Sequence, residues 1–360
     1  MPVKTKRIKR LIRVIASLLG FALFLAAASV AVFIYLNSPP PVPSSIEGSG
    51  FTLLQDDFNT SVIIEVGRGE TALSVGQRLA RAGLIRNRYF WQGISRLSRE
   101  HIRTGTFLID LPASQLAIRS VLVSGRQMMI RVTIPEGFTI GRTAALLEEM
   151  NITPARDFIA AASDPAILSR YGILGASMEG FLFPDTYLFP LAYPAERVVR
   201  AMADNFFARI AEIDESLVSM PMEELNRIIT LASIVEREYR VVEEAPLMAG
   251  VFQNRLNIGM ALQSCATVEY IITEILGRPH PEIITFRDIA IDNPFNTYIH
   301  PGLPPGPICS PGSISIRAAL FPAETNYLFF RLRNQATGVH TFSRTYAEHV
   351  AAGRLFERGW

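Results

Sequence analysis

Residues Val14 to Leu36 contain no charged side chain. A helix needs about 20 mostly apolar residues to cross a bilayer, so this run is long enough to span one. Whatever the remainder folds into must therefore fold on one side of it. The first thirteen residues carry Lys4, Lys6, Arg7, Lys9, Arg10 and Arg13, and no basic residue stands just after the run. That asymmetry predicts a cytoplasmic N-terminus (residues 1–13), a single membrane helix (14–36) and the rest of the chain outside. The alternative is a cleaved secretory signal, with Ala26-Ala27-Ala28 suiting a signal peptidase. The apolar run continues through Val32-Phe33-Ile34-Tyr35-Leu36, beyond an ordinary signal core, so a retained anchor is expected. Residues 37–60, opening with Pro39-Pro40-Pro41 and then rich in Ser and Gly, read as a linker that stiffens near the membrane. The chain beyond the linker is long enough for two domains.

The formal net charge of +2 comes from the tail. Beyond the apolar run the balance is 29 basic against 33 acidic residues, which gives no reason to expect a nucleic-acid partner. No lysine occurs after Lys9, which excludes Ser-Lys nucleophile pairs, Schiff-base chemistry and a P-loop from the external part. The five histidines have no zinc-site spacing and HExxH is absent, so no metal or other cofactor is expected. Carboxylates are the catalytic groups left.

Two modules come after the linker. Ser61–Val66 is a β-rich run, Ser74–Ala82 and Asn87–Leu97 have helical spacing, and Gly105–Asp110 returns as a strand. Strand, helix, helix, strand over 61–131 resembles a LysM-like module, a small fold associated with glycans containing N-acetylglucosamine. Residues 132–175, opening with the strand and turn Arg131-Val132-Thr133-Ile134-Pro135-Glu136-Gly137, are expected to bridge to a larger α+β module at 176–360. The fold class is therefore α+β behind one membrane helix.

In the larger module, Ile228 to Tyr239 reads as a helix apolar almost all the way round, ending in two carboxylates. At 100° per residue, Glu236 lies within about 40° of Leu225, Ile229 and Ala232, while Glu238 falls on a different line. A carboxyl drawn into an apolar wall holds its proton to higher pH, as a general acid near neutrality requires. Periodicity leaves two other readings open: Glu238 as the acid, and a plain Glu236–Arg240 pair at a helix end. Three loop-like segments accompany this helix. They are Glu179–Tyr187, Asn254–Leu256 with Met260–Val268, and Asn293–Tyr298 running into Gly302-Leu303-Pro304-Pro305-Gly306-Pro307-Ile308. Amides, hydroxyls and aromatic faces in rigid turns suit a sugar-binding groove.

Taken together, these segments resemble the endolytic murein transglycosylase family, the membrane-anchored lytic enzymes of bacterial peptidoglycan. The specific stretches are Leu231-Ala232-Ser233-Ile234-Val235-Glu236-Arg237-Glu238, Glu179–Tyr187, Asn296-Thr297-Tyr298 with Gly302-Leu303-Pro304-Pro305-Gly306, and Gly338-Val339-His340-Thr341-Phe342-Ser343. The resemblance implies a lyase that cuts MurNAc-β-1,4-GlcNAc bonds within glycan strands, leaves 1,6-anhydromuramoyl ends and terminates nascent-strand elongation. It implies Glu236 as the catalytic acid/base, with Glu179, Gln263, Asn296 and Tyr298 as candidate glycan contacts. It also implies a bacterial inner-membrane location, and a peptidoglycan synthase or elongation/division complex as candidate partner. Two rival readings are a two-carboxylate muramidase, with Asp185 or Glu179 as second group, and a non-catalytic glycan-binding scaffold. His340 is a candidate for orienting a loop or touching substrate. The chain departs from the pattern at Cys265, where many members carry Asp followed by Pro. As an isolated pair outside the cytoplasm, Cys265 and Cys309 are expected to form a disulfide joining two groove loops.

Overall fold

The computed structural model describes residues 3–46, 51–55, 60–67, 69–98, 100–125 and 127–357. They fall into two compact units, Met1–Met128 and Met129–Trp360.

The first unit opens with helix α1 (Val3–Asn37). Its stretch Val14–Asn37 is, among the described residues, the one helix long and apolar enough to cross a membrane. The chain leaving it is held in place. Arg86 Nε donates to Ser38 O at 3.1 Å, and Gln115 Nε2 donates to Leu36 O at 2.8 Å. The expected linker is shorter than the sequence suggests, because strand β1 (Phe51–Gln55) lies inside it and pairs antiparallel with β2 (Thr60–Val66). Residues 47–50 and 56–59 of that linker lie outside the described residues. After β2 come α2 (Ala72–Arg81), α3 (Arg88–Leu97), β3 (Gly105–Leu111) and α4 (Gln115–Ser124), and β3 closes a three-stranded sheet in the order β1-β2-β3.

The strand period is plain in β2, where Val62, Ile64 and Val66 are buried and alternate with more exposed neighbours. Thr71, Asn87 and Ser114 cap the three helices with side-chain oxygens on first-turn N–H groups. Gly76, in the middle of α2, is explained by Trp91: a β-carbon there would overlap the indole, whose Nε1 donates to Ala72 O at 2.8 Å. The strand–helix–helix–strand order read from the sequence is thus present, with a strand added before it and a helix after it.

The second unit contains β4 (Met129–Thr133), α5 (Ile140–Glu149), α6 (Ala155–Ala162), α7 (Pro165–Tyr171), β5 (Thr186–Pro190), α8 (Ala195–Ile213) and α9 (Ser216–Ser219). It continues through α10 (Met222–Glu236), α11 (Ala245–Asn257), α12 (Cys265–Tyr270), α13 (Ser313–Leu320), the hairpin β6 (Phe329–Leu332)–β7 (His340–Ser343) and α14 (Tyr346–Glu357). The stretch expected to bridge two modules, 132–175, is built into this unit. β4 pairs antiparallel with β5, and Val132, Ile134, Leu147 and Phe158 share one core with Phe206 and Ile229.

At the centre of that core lies α10, with Leu225, Ile229, Leu231, Ala232, Ile234 and Val235 all buried. Burial on every side explains the weak amphipathic pattern of its sequence. Small residues let its neighbours approach closely. Ser315, Ala318 and Ala319 of α13 are buried, and Gly250 of α11 lies so close under Ala323 O that a β-carbon would overlap it.

Candidate active site

Helix α10 ends at Glu236, and the side chain turns toward the start of α13. Glu236 Oε2 accepts the Gly312 N–H at 2.9 Å and the Ser315 hydroxyl at 2.7 Å. Among the described residues Oε1 has no hydrogen-bond partner, so one oxygen is fixed and the other is left for a proton. Burial pushes the Glu236 carboxyl above the usual carboxylate range, against the two hydrogen bonds, which favour the ionised form. The carboxylate of Glu136 adds to the upward push, and Arg237 opposes it. Tyr239, one turn further on, is pushed up to about 12, first by burial and then by Glu236 and Glu136.

The loop before α13 is fastened to α10 by Ser233, a residue with no room for solvent. Ser233 Oγ donates to Thr230 O at 2.8 Å and accepts the Ile308 N–H at 3.0 Å, and the Cys309 thiol donates to Ser233 O at 3.3 Å. A second turn, 135–138, is stitched to the same loop: Gly137 N–H donates to Ser310 O at 2.9 Å and Ser310 N–H to Phe138 O at 2.8 Å. Gly137 has φ of +74°, and a β-carbon there would already touch Glu236 Cγ at 3.7 Å. The Glu179–Tyr187 segment packs on the same loop through Gly180 (φ +84°), where a β-carbon would overlap Pro307.

The other expected residues divide by role. Glu238 accepts the Ser264 hydroxyl at 2.5 Å, which ties the end of α10 to the segment before α12. Gln263 is exposed and held at φ of +52°, an uncommon conformation for a residue with a β-carbon, with its N–H on Thr297 O at 3.0 Å. Tyr298 is half-buried, its hydroxyl 3.1 Å from Cys265 Sγ.

Asn296, expected as a glycan contact, is fully buried. Its Nδ2 donates to Ile289 O and Ile291 O at 3.0 and 2.8 Å and its Oδ1 accepts the Tyr298 N–H, so it pins the loop from inside. Glu179 is likewise buried, both carboxyl oxygens lying 3.2 Å from the Ile140 N–H at the start of α5. Burial pushes it up to about 8, and it serves a helix terminus instead of an open groove. Asp185 accepts from Arg209 at 2.9 Å and from Asn205 at 3.2 Å, a paired carboxylate held below its ordinary range despite some burial. His340 Nδ1 lies 2.7 Å from Glu244 Oε2 and its N–H bonds the same carboxyl, which anchors the β6–β7 hairpin.

A cavity of about 440 Å³ opens beside this assembly, lined by Arg142, Arg237, Glu269, Tyr270, Arg278 and His280 among others. Arg237 and Glu269 form an ion pair, and His280 Nε2 lies 3.0 Å from the same carboxylate oxygen. Among the described residues no group of three or more His, Cys, Asp or Glu is placed to hold a metal ion.

The expected Cys265–Cys309 disulfide is not formed. Cys265 is exposed beside Tyr298, whereas Cys309 is buried against α10, its thiol pushed far up by burial. Each sulfur is committed to a different partner. A thiol reagent is therefore expected to label one cysteine in the native protein and the second only after unfolding; intact mass counts the adducts. Two native labels, or none, would contradict this placement.

Gly312, Ser315 and Glu136 were not singled out from the sequence. The first two reach Glu236 across more than seventy residues, and no local pattern announces them. Glu136 had a weak signal in Pro135-Glu136-Gly137, a turn with a glycine at positive φ.

The arrangement has known relatives. The YceG-like family matches residues 64–354. A protein of Bacillus subtilis named endolytic murein transglycosylase is 26% identical over 318 residues, covering 83% of this chain and 86% of that protein. A Streptococcus pneumoniae protein of the same name is 26% identical over 312 residues, 78% of this chain but only 56% of the longer relative. The crystal structure of a YceG-like protein from Listeria monocytogenes superposes with a TM-score of 0.55 at 27% identity, covering 81% of this chain and 98% of that one. With the family matched across most of its length, the chain belongs to the YceG-like family.

Proposed function

We propose that this chain is a membrane-anchored lytic transglycosylase of peptidoglycan, with Glu236 as its single acid/base. The observation that carries the reading is the Glu236 carboxyl itself: half-buried, held through Oε2 by Gly312 and Ser315, and free at Oε1. The names of the relatives support the substrate. Glu236 gives its proton to the glycosidic oxygen as the bond to C1 of N-acetylmuramic acid breaks. The muramoyl C6 hydroxyl then attacks C1 and returns its proton to Glu236, which closes the 1,6-anhydro ring. The nucleophile belongs to the substrate, so no enzyme carboxylate need attack or activate water, unlike in a retaining or inverting hydrolase. Asp185 and Glu179, the carboxylates a muramidase reading would use, are engaged with Arg209 and the α5 N-terminus. Gln263 and Tyr298 remain as glycan contacts in this reading.

The same proposal extends to location and partners. The Val14–Asn37 helix is a retained anchor with its N-terminus in the cytoplasm, in the inner membrane of a bacterium. The βααβ part of the first unit is a LysM-like glycan binder. Cleavage falls within nascent strands beside a synthase or division complex. Digestion of purified glycan strands, read by mass, tests the chemistry: anhydromuramoyl ends at every new terminus are expected. Reducing muramic acid ends, one water heavier, would replace the lyase with a muramidase.

A further inference from the structure

The turn 135–138 brings a second carboxylate to the acid. A β-carbon on Gly312 would overlap Glu136 Oε1, so the Glu136 carboxyl lies directly over the residue whose N–H holds Glu236. Glu136 is exposed, and among the described residues it has no hydrogen-bond or ion-pair partner. The cation nearest in sequence to the acid, Arg237, is spent on Glu269 and on Gly137 O. An unneutralised carboxylate beside a half-buried one is unfavourable for folding, since like charges repel and a short rotation of the side chain into solvent would relieve it. Instead, two glycines make room for it. Gly137 lets the turn close on α10, and Gly312 leaves the space that the carboxyl fills. The backbone does not demand glycine at 312: φ of −82° and ψ of 175° suit any residue.

We propose that Glu136 is a second catalytic carboxylate, whose negative charge stabilises the positive charge that develops at C1 of the muramoyl ring while Glu236 handles the proton. It forms no bond to the sugar; its contribution is electrostatic and greatest in the transition state. The inference rests on the transglycosylase reading of the site.

Two substitutions test it in the full-length protein in detergent micelles, with purified glycan strands as substrate. Glu136→Gln keeps size but removes the charge. It is expected to lower kcat by about 100-fold with KM changed little, on the scale of losing one transition-state electrostatic contact. It should also move the alkaline limb of the kcat/KM profile to lower pH. Glu236 must begin protonated and is faced by Glu136, Arg237, Tyr239 and Cys309, and removing the acidic neighbour weakens its hold on the proton. Gly312→Ala pushes the Glu136 side chain aside while leaving the 312 N–H in place. It is expected to act in the same direction, and the double variant should be no worse than the weaker single.

A Glu136→Gln enzyme within twofold of wild-type kcat, an unmoved alkaline limb, or fully additive effects would each overturn the proposal. A Glu136→Asp enzyme that keeps the wild-type alkaline limb supports a role for charge; one that matches Glu136→Gln in its limb overturns it. The same digests report the products of the wild type. Wild-type reducing ends would overturn the transglycosylase reading, whereas wild-type anhydro ends with a fully active Glu136→Gln enzyme would overturn only this inference.

Discussion

Glu236→Gln is expected to reduce strand cleavage by about 10²–10⁴-fold, the range of a positioned general acid–base, while leaving the protein folded. The fold should survive because a glutamine Oε1 still accepts from Gly312 and Ser315, and the hydrogen bonds that dock α13 on α10 remain. Circular dichroism and the thermal midpoint check the fold, and muropeptide mass spectrometry reads the activity. Binding of glycan strands should persist, which separates an enzyme from a scaffold. Cleavage at the wild-type rate by this variant would remove Glu236 from the mechanism. In the proposed mechanism the acid must begin protonated, so its upward displacement by burial extends activity to higher pH than an ordinary carboxyl would allow.

The second large effect concerns stability. Glu179 is pushed up from 4.5 to about 8 in the folded protein by burial. Between those pH values the folded chain keeps a proton that the unfolded chain has released. Stability from this group is therefore full below the unfolded value, falls as pH rises through the window, and is lost above about 8. At about 1.4 kcal/mol per unit, the whole displacement corresponds to something on the order of 4–5 kcal/mol. Glu179→Gln, always neutral and still able to accept the Ile140 N–H, is expected to match the wild type near pH 5. Near pH 8 it should be more stable by several kcal/mol, on the order of that same linkage. Urea midpoints at the two pH values measure the difference. Glu236 and Glu238 also titrate upward, but they are present in both proteins and cancel. Parallel curves for wild type and variant would show that Glu179 carries no such linkage.

How much the sequence disclosed depended on how local the signal was. The membrane-length helix, the strand–helix–helix–strand order at 61–110 and the long apolar α10 all rest on periodicity within one element, and each is found. Strand β1 was hidden because its five residues come after a Pro- and Ser-rich stretch and acquire meaning only through pairing with β2. Segment 132–175 looked like a bridge because the partner of β4 lies more than fifty residues downstream. In the site, Glu236 was readable as a carboxylate on an apolar stripe. Its donors were not, since Gly312 and Ser315 arrive from another helix.

Asn296 and Glu179 show the opposite failure. Polar residues in aromatic, Gly-rich loops look like ligand contacts. Here they satisfy backbone groups inside the protein, where an unpaired N–H or carbonyl would cost about 1–3 kcal/mol. The expected disulfide is absent for a related reason: Cys265 at the start of α12 and Cys309 in the loop before α13 face different partners.

Glu236 lies where the C-terminus of α10 meets the N-terminus of α13. The negative end of one helix dipole and the positive end of the other act on the same carboxyl with opposite sign. Access of water is then a leading variable in how tightly the proton is held, burial being the largest cause of its upward displacement. On the proposed reading, a glycan strand laid across Oε1 would strip away the solvent that supports a charged carboxylate, and the bound site would keep its proton to higher pH than the empty one. In the proposed mechanism, substrate binding itself would arm the acid.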